Sequence, residues 1–154
     1  MNRRPFNMRP GRSEIWNQRT AVESDPRRVM LVHSESDVGE SFAMMLAMRG
    51  FDAVQIADAQ SALHFAHMWR PQVLFIDTRV NEAHEVLAKH DHALVRALRE
   101  CGREASLDQM LIAFAAEESS DPRDVLLSAG YDGFFRMPCP VWRLFDAVTR
   151  FYVH

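Results

Sequence analysis

The chain has 154 residues, of which 47% are apolar and 25% are charged, and its formal net charge is −3. This length and composition indicate one soluble globular domain, able to bury about 68–70% of its unfolded surface without a metal or a disulfide. No apolar stretch approaches the roughly 18 residues of a membrane span, and the two cysteines match no metal-binding or redox spacing, so we expect a cytoplasmic protein that does not contact a membrane.

Residues 1–27 are a basic segment without a helical or strand period. Seven arginines against three acidic residues give residues 1–28 a net charge of +4. We predict a flexible N-terminal arm over 1–27, with at most a short ordered turn around Ile15 and Trp16. Arginine together with an aromatic residue also suits phosphate contact and base stacking. This leaves open the hypothesis of a small nucleic-acid-binding regulator, although a solvated tail is the favoured interpretation.

From Arg28 onward, short apolar runs alternate with helical patterns, which is typical of βαβ units and a parallel sheet. The predicted strands are residues 29–32, 51–57, 72–77, 110–115 and 133–136. The predicted helices begin near Ser36, at Ala59, near Glu82, at Asp121-Pro122 and at Pro140, and the third is the longest, about 82–103. This alternation predicts an α/β, flavodoxin-like, doubly wound fold with a five-stranded parallel sheet over residues 28–154.

The third predicted strand, Val73-Leu74-Phe75-Ile76-Asp77, is apolar and ends in an aspartate. With two βα units before it, this strand resembles the phospho-acceptor strand of response-regulator receiver domains, and the resemblance covers about residues 28–154. It implies a (βα)5 sandwich with Asp77 in the phospho-acceptor position. In that family, two acids after the first strand help the acceptor aspartate to hold Mg²⁺. A hydroxyl residue after the fourth strand and a lysine after the fifth bind the acyl phosphate.

The metal-binding positions of this resemblance are altered. His33 and Ser34 stand where the acidic pair is expected, and Glu35 lies one place further along. Mg²⁺ needs oxygen ligands in near-octahedral geometry, and a neutral imidazole and a hydroxyl offer it little. We therefore expect no metal and no cofactor, with Mg²⁺ required only if the receiver is active.

The phosphate-binding positions are altered as well. Ala115 stands in the hydroxyl position, and its methyl group cannot donate a hydrogen bond; Met137 stands in the lysine position. The only lysine of the chain, Lys89, falls in the long helical region instead. We therefore interpret the chain as a degenerate receiver, or pseudo-receiver, that is not an enzyme and has no catalytic residue.

Aromatic residues near the end of the chain suggest an interaction surface. Phe134 stands where the rotating aromatic of the family lies, Trp142 lies beside the apolar stripe of the last helix, and Phe151 and Tyr152 follow at its end. Tryptophan and tyrosine are favoured interface anchors. The alternative, left open by the sequence, is that these rings close the bottom of the core.

The favoured hypothesis is a stand-alone atypical response-regulator receiver protein that acts in signal transduction through protein–protein interaction, independently of phosphorylation. The resemblance implies a partner protein such as a signalling kinase or regulator, and homodimerisation through the last strand and helices. One alternative is an active receiver phosphorylated on Asp77 in a two-component phosphorelay, with Glu35 and water replacing the lost acids. Nucleic acid, through the N-terminal arm, is the less favoured partner.

Overall fold

The structure, a computed structural model, describes residues 13–19, 26–82, 92–115 and 123–152. Its strands are Ser13–Ile15 (β1), Arg28–Val32 (β2), Asp52–Ile56 (β3), Val73–Asp77 (β4), Met110–Ala115 (β5) and Gly133–Arg136 (β6). Its α-helices are Ser36–Met48 (α1), Ala59–Trp69 (α2), Ala93–Glu104 (α3), Arg123–Ala129 (α4) and Val141–Phe151 (α5), and a 3₁₀-helix spans Thr78–Glu82.

The strands form one sheet in the order β1-β6-β5-β4-β2-β3. The strands from β2 to β6 are all parallel, whereas β1 pairs antiparallel with β6 at one edge. The order of the parallel strands is that of the flavodoxin-like doubly wound sheet. The predicted α/β fold is therefore confirmed, with an additional sixth strand at the edge.

The central strand β4 shows why the sheet is buried on both faces. Its side chains alternate between two apolar layers, with Val73 and Phe75 in one and Leu74 and Ile76 in the other. Helices α1 and α5 cover the first layer, and α2, α3 and α4 cover the second. A strand covered on both faces is apolar where the two layers enclose it, here from Val73 to Ile76, and each large side chain buried in this way contributes about 1.5–3 kcal/mol.

The boundaries of α2 follow from the residues at its ends. The Asp58 carboxylate accepts a hydrogen bond from the Ser61 backbone N–H at 2.8 Å, which satisfies one of the first free N–H groups of the helix. At the other end, Arg70 adopts a left-handed conformation with φ of 54°. Pro71 follows, and proline cannot continue a helix. The predicted range of this helix, 59–69, is confirmed.

Two local predictions are wrong. Residues Ser13–Ile15 of the N-terminal arm form the strand β1, where the sequence predicted at most a short ordered turn around Ile15 and Trp16. Three residues are too few to show a strand period in the sequence, and their pairing depends on the edge of β6. The third helix does not run continuously from 82: α3 begins at Ala93, after His92 with φ of 52°. Residues 83–91 and the predicted cap Asp121-Pro122 lie outside the described residues.

Burial contradicts most of the predicted aromatic interface. Phe134 and Phe151 are completely buried, and Tyr152 is 3% exposed. The Tyr152 hydroxyl donates a hydrogen bond to the Arg28 carbonyl at 2.6 Å, which anchors the end of α5 beneath the sheet. These rings close the core because they continue the apolar face of α5 and β6. Only Trp142 of the four remains exposed, at 58%.

Candidate functional site

The altered positions lie at one edge of the sheet, where the carboxyl ends of the parallel strands meet. His33, Ser34 and Glu35 follow β2, and Asp77 ends the neighbouring strand β4. Since β2 and β4 are adjacent and parallel, the residues after β2 reach the end of β4. The structure therefore brings the first three altered positions together with the acceptor-position aspartate.

The other two altered positions lie further along the same edge. Ala115 ends β5 and is buried, and the Met137 backbone N–H donates to its carbonyl oxygen at 2.9 Å. The Met137 side chain turns to Cys139, whose thiol lies 3.6 Å from the Met137 sulfur, and the Met137–Pro138 peptide bond is cis. Neither an alanine methyl nor a thioether can donate a hydrogen bond to a phosphoryl oxygen.

The Asp77 carboxylate is held by Arg79. Asp77 is 1% exposed, and its Oδ1 accepts hydrogen bonds from the Arg79 Nε at 3.2 Å and the Arg79 backbone N–H at 3.0 Å. The Arg79 Nη2 donates to Asp77 Oδ2 at 3.1 Å. This is a two-pronged guanidinium–carboxylate pair, the geometry in which arginine binds carboxylates most strongly.

The second oxygen of Asp77 also receives Ser34. The Ser34 hydroxyl donates to Oδ2 at 2.9 Å, and the Ser34 backbone N–H lies 3.4 Å from the same atom. Both carboxylate oxygens are thus engaged by donors from this chain. The residue at the second position of the lost acidic pair has become a ligand of the aspartate itself.

His33 contributes as a neutral ring. Its Nδ1 accepts the Glu35 backbone N–H at 3.0 Å, and it lies 3.7 Å from Asp77 Oδ2, too far for a hydrogen bond. Because an accepting Nδ1 carries no proton, the ring is neutral with its proton on Nε2. Burial lowers the pKa of His33 below its ordinary value, although the Asp77 charge pulls it upward.

The charge state of the pair follows from opposing effects. Burial by itself raises the pKa of Asp77, but the hydrogen bonds from the Arg79 side chain and backbone outweigh it and hold the pKa below its usual value. The same contact raises the pKa of Arg79. Asp77 is therefore ionised at neutral pH, and its negative charge is matched by a cation from its own chain.

Arg79 is the site residue that the sequence reasoning missed. Its Nη2 also lies 3.3 Å from Glu35 Oε1, so the guanidinium sits between two carboxylates. The 3₁₀-helix that follows β4 turns the chain back and aims Arg79 at the strand end. The signal available in the sequence was a cation two residues after a strand-end aspartate, together with an acidic residue, Glu35, shortly after another predicted strand.

The residues present do not fit Mg²⁺. The ion requires about six oxygen ligands at 2.0–2.1 Å, whereas the Asp77 and Glu35 carboxylates already face the Arg79 guanidinium. A neighbouring cation also repels a metal ion. Across the described ranges, no group of three or more His, Cys, Asp or Glu side chains is placed to hold a metal. Among the same residues, no helix is long and apolar enough to cross a bilayer.

Comparison with known structures identifies the fold family that this chain resembles. No family model and no curated protein sequence matches the chain. Among solved structures, a CheY-like response regulator receiver domain from Methanospirillum hungatei is similar with a TM-score of 0.66 and 15% identity, covering 79% of this chain and 90% of that one. A response regulator receiver protein from Pseudomonas putida has a TM-score of 0.64 and 21% identity, covering 82% and 98%.

A third similar structure is a response regulator protein from Burkholderia pseudomallei that contains a phosphorylated aspartic acid, a calcium ion and citrate. It has a TM-score of 0.63 and 14% identity, and the match covers 80% of this chain and 66% of that one. At these identities the likeness concerns the fold: this chain has the flavodoxin-like α/β fold of receiver domains.

Proposed function

We propose that this protein is an atypical response-regulator receiver that works in signal transduction through protein–protein contacts, independently of phosphorylation. The receiver fold supports the class of protein. The observation that carries the second half of the proposal is the Arg79 guanidinium on Asp77, with Ser34 on the same carboxylate. An internal cation already engages the carboxylate that phosphorylation chemistry would need as a metal ligand and nucleophile.

Phosphoryl transfer to an aspartate requires a carboxylate oxygen free to attack and positive charge on the incoming phosphoryl oxygens. Both oxygens of Asp77 accept hydrogen bonds in the structure. The positive charge of Arg79 is already shared by two carboxylates, and Ala115 and Met137 add no donor. Each of these features raises the barrier to acyl phosphate formation or weakens the product.

The same contacts explain how such a domain can act without a switch. The Asp77–Arg79 pair and the Glu35–Arg79 contact tie the loop after β4 to the loop after β2. A loop arrangement that is held by the chain's own charges does not need a phosphoryl group to hold it. We therefore infer one signalling-competent shape, whose output depends on what binds to it.

The arm-based nucleic-acid hypothesis gains no support from the described part of the arm. Trp16 was its candidate for base stacking, but the Trp16 ring packs on Phe134 with ring centroids 5.8 Å apart. Its indole N–H donates to Glu14 at 2.8 Å. The Trp16 ring is therefore already engaged by its own chain.

The test is to incubate the protein with Mg²⁺ and acetyl phosphate and to measure its intact mass, with an active receiver domain treated in parallel to show that the reagents work. We expect no phosphoryl adduct. An adduct that forms on the native chain and is lost in Asp77→Asn would refute phosphorylation independence and establish the active-receiver alternative. Arg79→Ala is the informative companion variant, because it frees the carboxylate of its cation.

A further inference from the structure

The outer edge of β6 is occupied by a segment of the same chain. Strand β1 pairs antiparallel with it, Glu14 opposite Phe134 and Ile15 opposite Gly133. The pairing continues beyond the strand, since the Trp16 backbone N–H donates to the Asp132 carbonyl at 2.7 Å. Without β1, this edge would present a row of unpaired N–H and C=O groups, which is a template for another strand.

The groove around this edge has charged walls. Arg123 of α4 lies 2.9 Å from the Glu14 carboxylate on one side, and Arg143 of α5 donates to the Ser13 hydroxyl on the other. The floor carries an aromatic contact, where the Trp16 ring tilts over Phe134. The groove therefore contacts an extended backbone, a carboxylate, and an aromatic ring two residues after that carboxylate.

Gly133 permits the close approach of the two strands. A Cβ built on Gly133 would lie 2.4 Å from the Glu14 carbonyl oxygen and 2.8 Å from the Ile15 Cα, both of which belong to β1. Real Cβ atoms do not come so near to backbone atoms, so an alanine here is incompatible with a docked strand. Alanine at this position therefore tests the docking specifically.

Strand β1, which occupies the groove, is held less firmly in the fold than β6, which forms the edge of the groove. Strand β1 has three residues, its Ile15 and Trp16 are only partly buried, and its ion pair joins the Glu14 side chain, which is 15% exposed, to the Arg123 side chain, which is 44% exposed. Solvent at the exposed guanidinium screens this pair, so we expect it to contribute no more than about 1 kcal/mol. By contrast, Gly133, Phe134 and Phe135 are buried in β6, which is part of the central sheet. We therefore expect the β6 edge to persist when β1 leaves it.

We propose that this groove is a strand-binding site for a partner protein, and that residues 13–16 are an internal mimic of the partner. The partner contributes an extended segment in which a carboxylate residue is followed by a β-branched residue and an aromatic residue. Adding a strand to an exposed sheet edge is a general mode of peptide recognition. The proposal specifies the protein contact on which the proposed function rests.

The test uses the full chain and a fluorescent peptide with the sequence of residues 11–19. The Trp16–Asp132 hydrogen bond makes that pair a bonded pair of the antiparallel ladder, so the Glu14–Phe134 pair, two residues away, is bonded as well. Glu14→Pro removes this ladder donor and the carboxylate, and so releases the internal segment. We expect the peptide to bind Glu14→Pro at least ten times more tightly than the native chain, because a tethered segment competes at about millimolar effective concentration.

Matched variants locate the binding. In the Glu14→Pro background, Gly133→Ala should weaken peptide binding at least tenfold, and Arg123→Ala should weaken it several-fold. Arg150→Ala, which removes an exposed arginine of α5 paired with Asp146, should leave it unchanged. A peptide of the same composition in scrambled order should not bind. Circular dichroism shows that each variant remains folded.

The proposal is overturned if Glu14→Pro does not bind the peptide, or if Gly133→Ala leaves the affinity unchanged. A native dimer that dissociates on Gly133→Ala would also overturn it, since the occupant would then be a second copy of the chain. These outcomes are independent of the phosphorylation test: the peptide assay reports on the β6 edge, whereas the mass measurement reports on Asp77.

Discussion

In two regions of this molecule, one part of the chain covers polar groups of another part, and the two regions differ in how deeply those polar groups are buried. At the carboxyl end of the sheet, Arg79 covers an aspartate that is 1% exposed. At the β6 edge, residues 13–16 cover backbone groups through a short strand and partly exposed side chains. Removing the first cover leaves a buried charge without a partner, whereas removing the second leaves an edge that water or another strand can satisfy. We therefore expect the Arg79 contact to be needed for stability, whereas another strand can replace β1 at the β6 edge.

The largest effect is expected from Arg79→Ala. It leaves the buried Asp77 carboxylate without its cation, and breaking a buried pair on one side costs about 3–5 kcal/mol. Because Arg79 is itself 42% exposed, we expect about 2–3 kcal/mol, measured as the free energy of unfolding in urea at neutral pH. Adding Asp77→Asn should recover part of the loss. A loss of unfolding free energy as small as that of the exposed control Arg150→Ala would show that the Arg79 contact is no more important for stability than the docking of β1.

A second prediction concerns pH. Burial lowers the pKa of His33 from its ordinary 6.5, so the unfolded chain takes up a proton on this ring while the folded chain stays neutral. The unfolded state then binds more protons, and stability falls as the pH drops below about 6.5, by at most about 1.4 kcal/mol per pH unit. Urea unfolding of His33→Gln between pH 7.5 and 5 should show a smaller slope. His64→Gln, at an exposed position of α2, should keep the native slope.

A third prediction tests the docking of β1 on β6 by itself. Gly133→Ala should displace β1 and leave the central sheet intact, at a cost of about 1 kcal/mol, since point mutations commonly destabilise a protein by about this much. Hydrogen exchange of the Trp16 amide should accelerate, while that of the β4 amides should remain slow. Equal acceleration in β4 would mean that β1 belongs to the same cooperative unit as the core.

The smallest effect is expected from the rim of the groove. Glu14→Ala and Arg123→Ala should each destabilise the chain by no more than about 1 kcal/mol, and a double-mutant cycle should give a coupling of about 0.2–1 kcal/mol that decreases with added salt. A larger coupling that resists salt would show that Glu14 and Arg123 form a desolvated pair. Strand β1 would then be held on β6 as firmly as Arg79 is held on Asp77.

The sequence by itself determined the parallel sheet and its helices, because the information is local. Residues 110–115 are apolar throughout, as a strand buried on both faces must be, and Asp58 and Pro71 mark the ends of α2. It also determined which polar groups the carboxyl edge lacks, since a strand that is followed by His33 and Ser34 has no acidic pair at that place. These features depend on period, capping and residue type.

The tertiary structure decided how the missing groups are replaced. Arg79 becomes the partner of Asp77 only because a 3₁₀-helix turns it back, and the second carboxylate, Glu35, comes from the loop after a different strand, β2. Strand β1 exists because the edge of β6 and two arginines from separate helices meet it. Burial of Phe134 likewise depends on a segment more than a hundred residues away. Contacts between distant parts of the chain leave no period in the sequence, so only the folded chain specifies them.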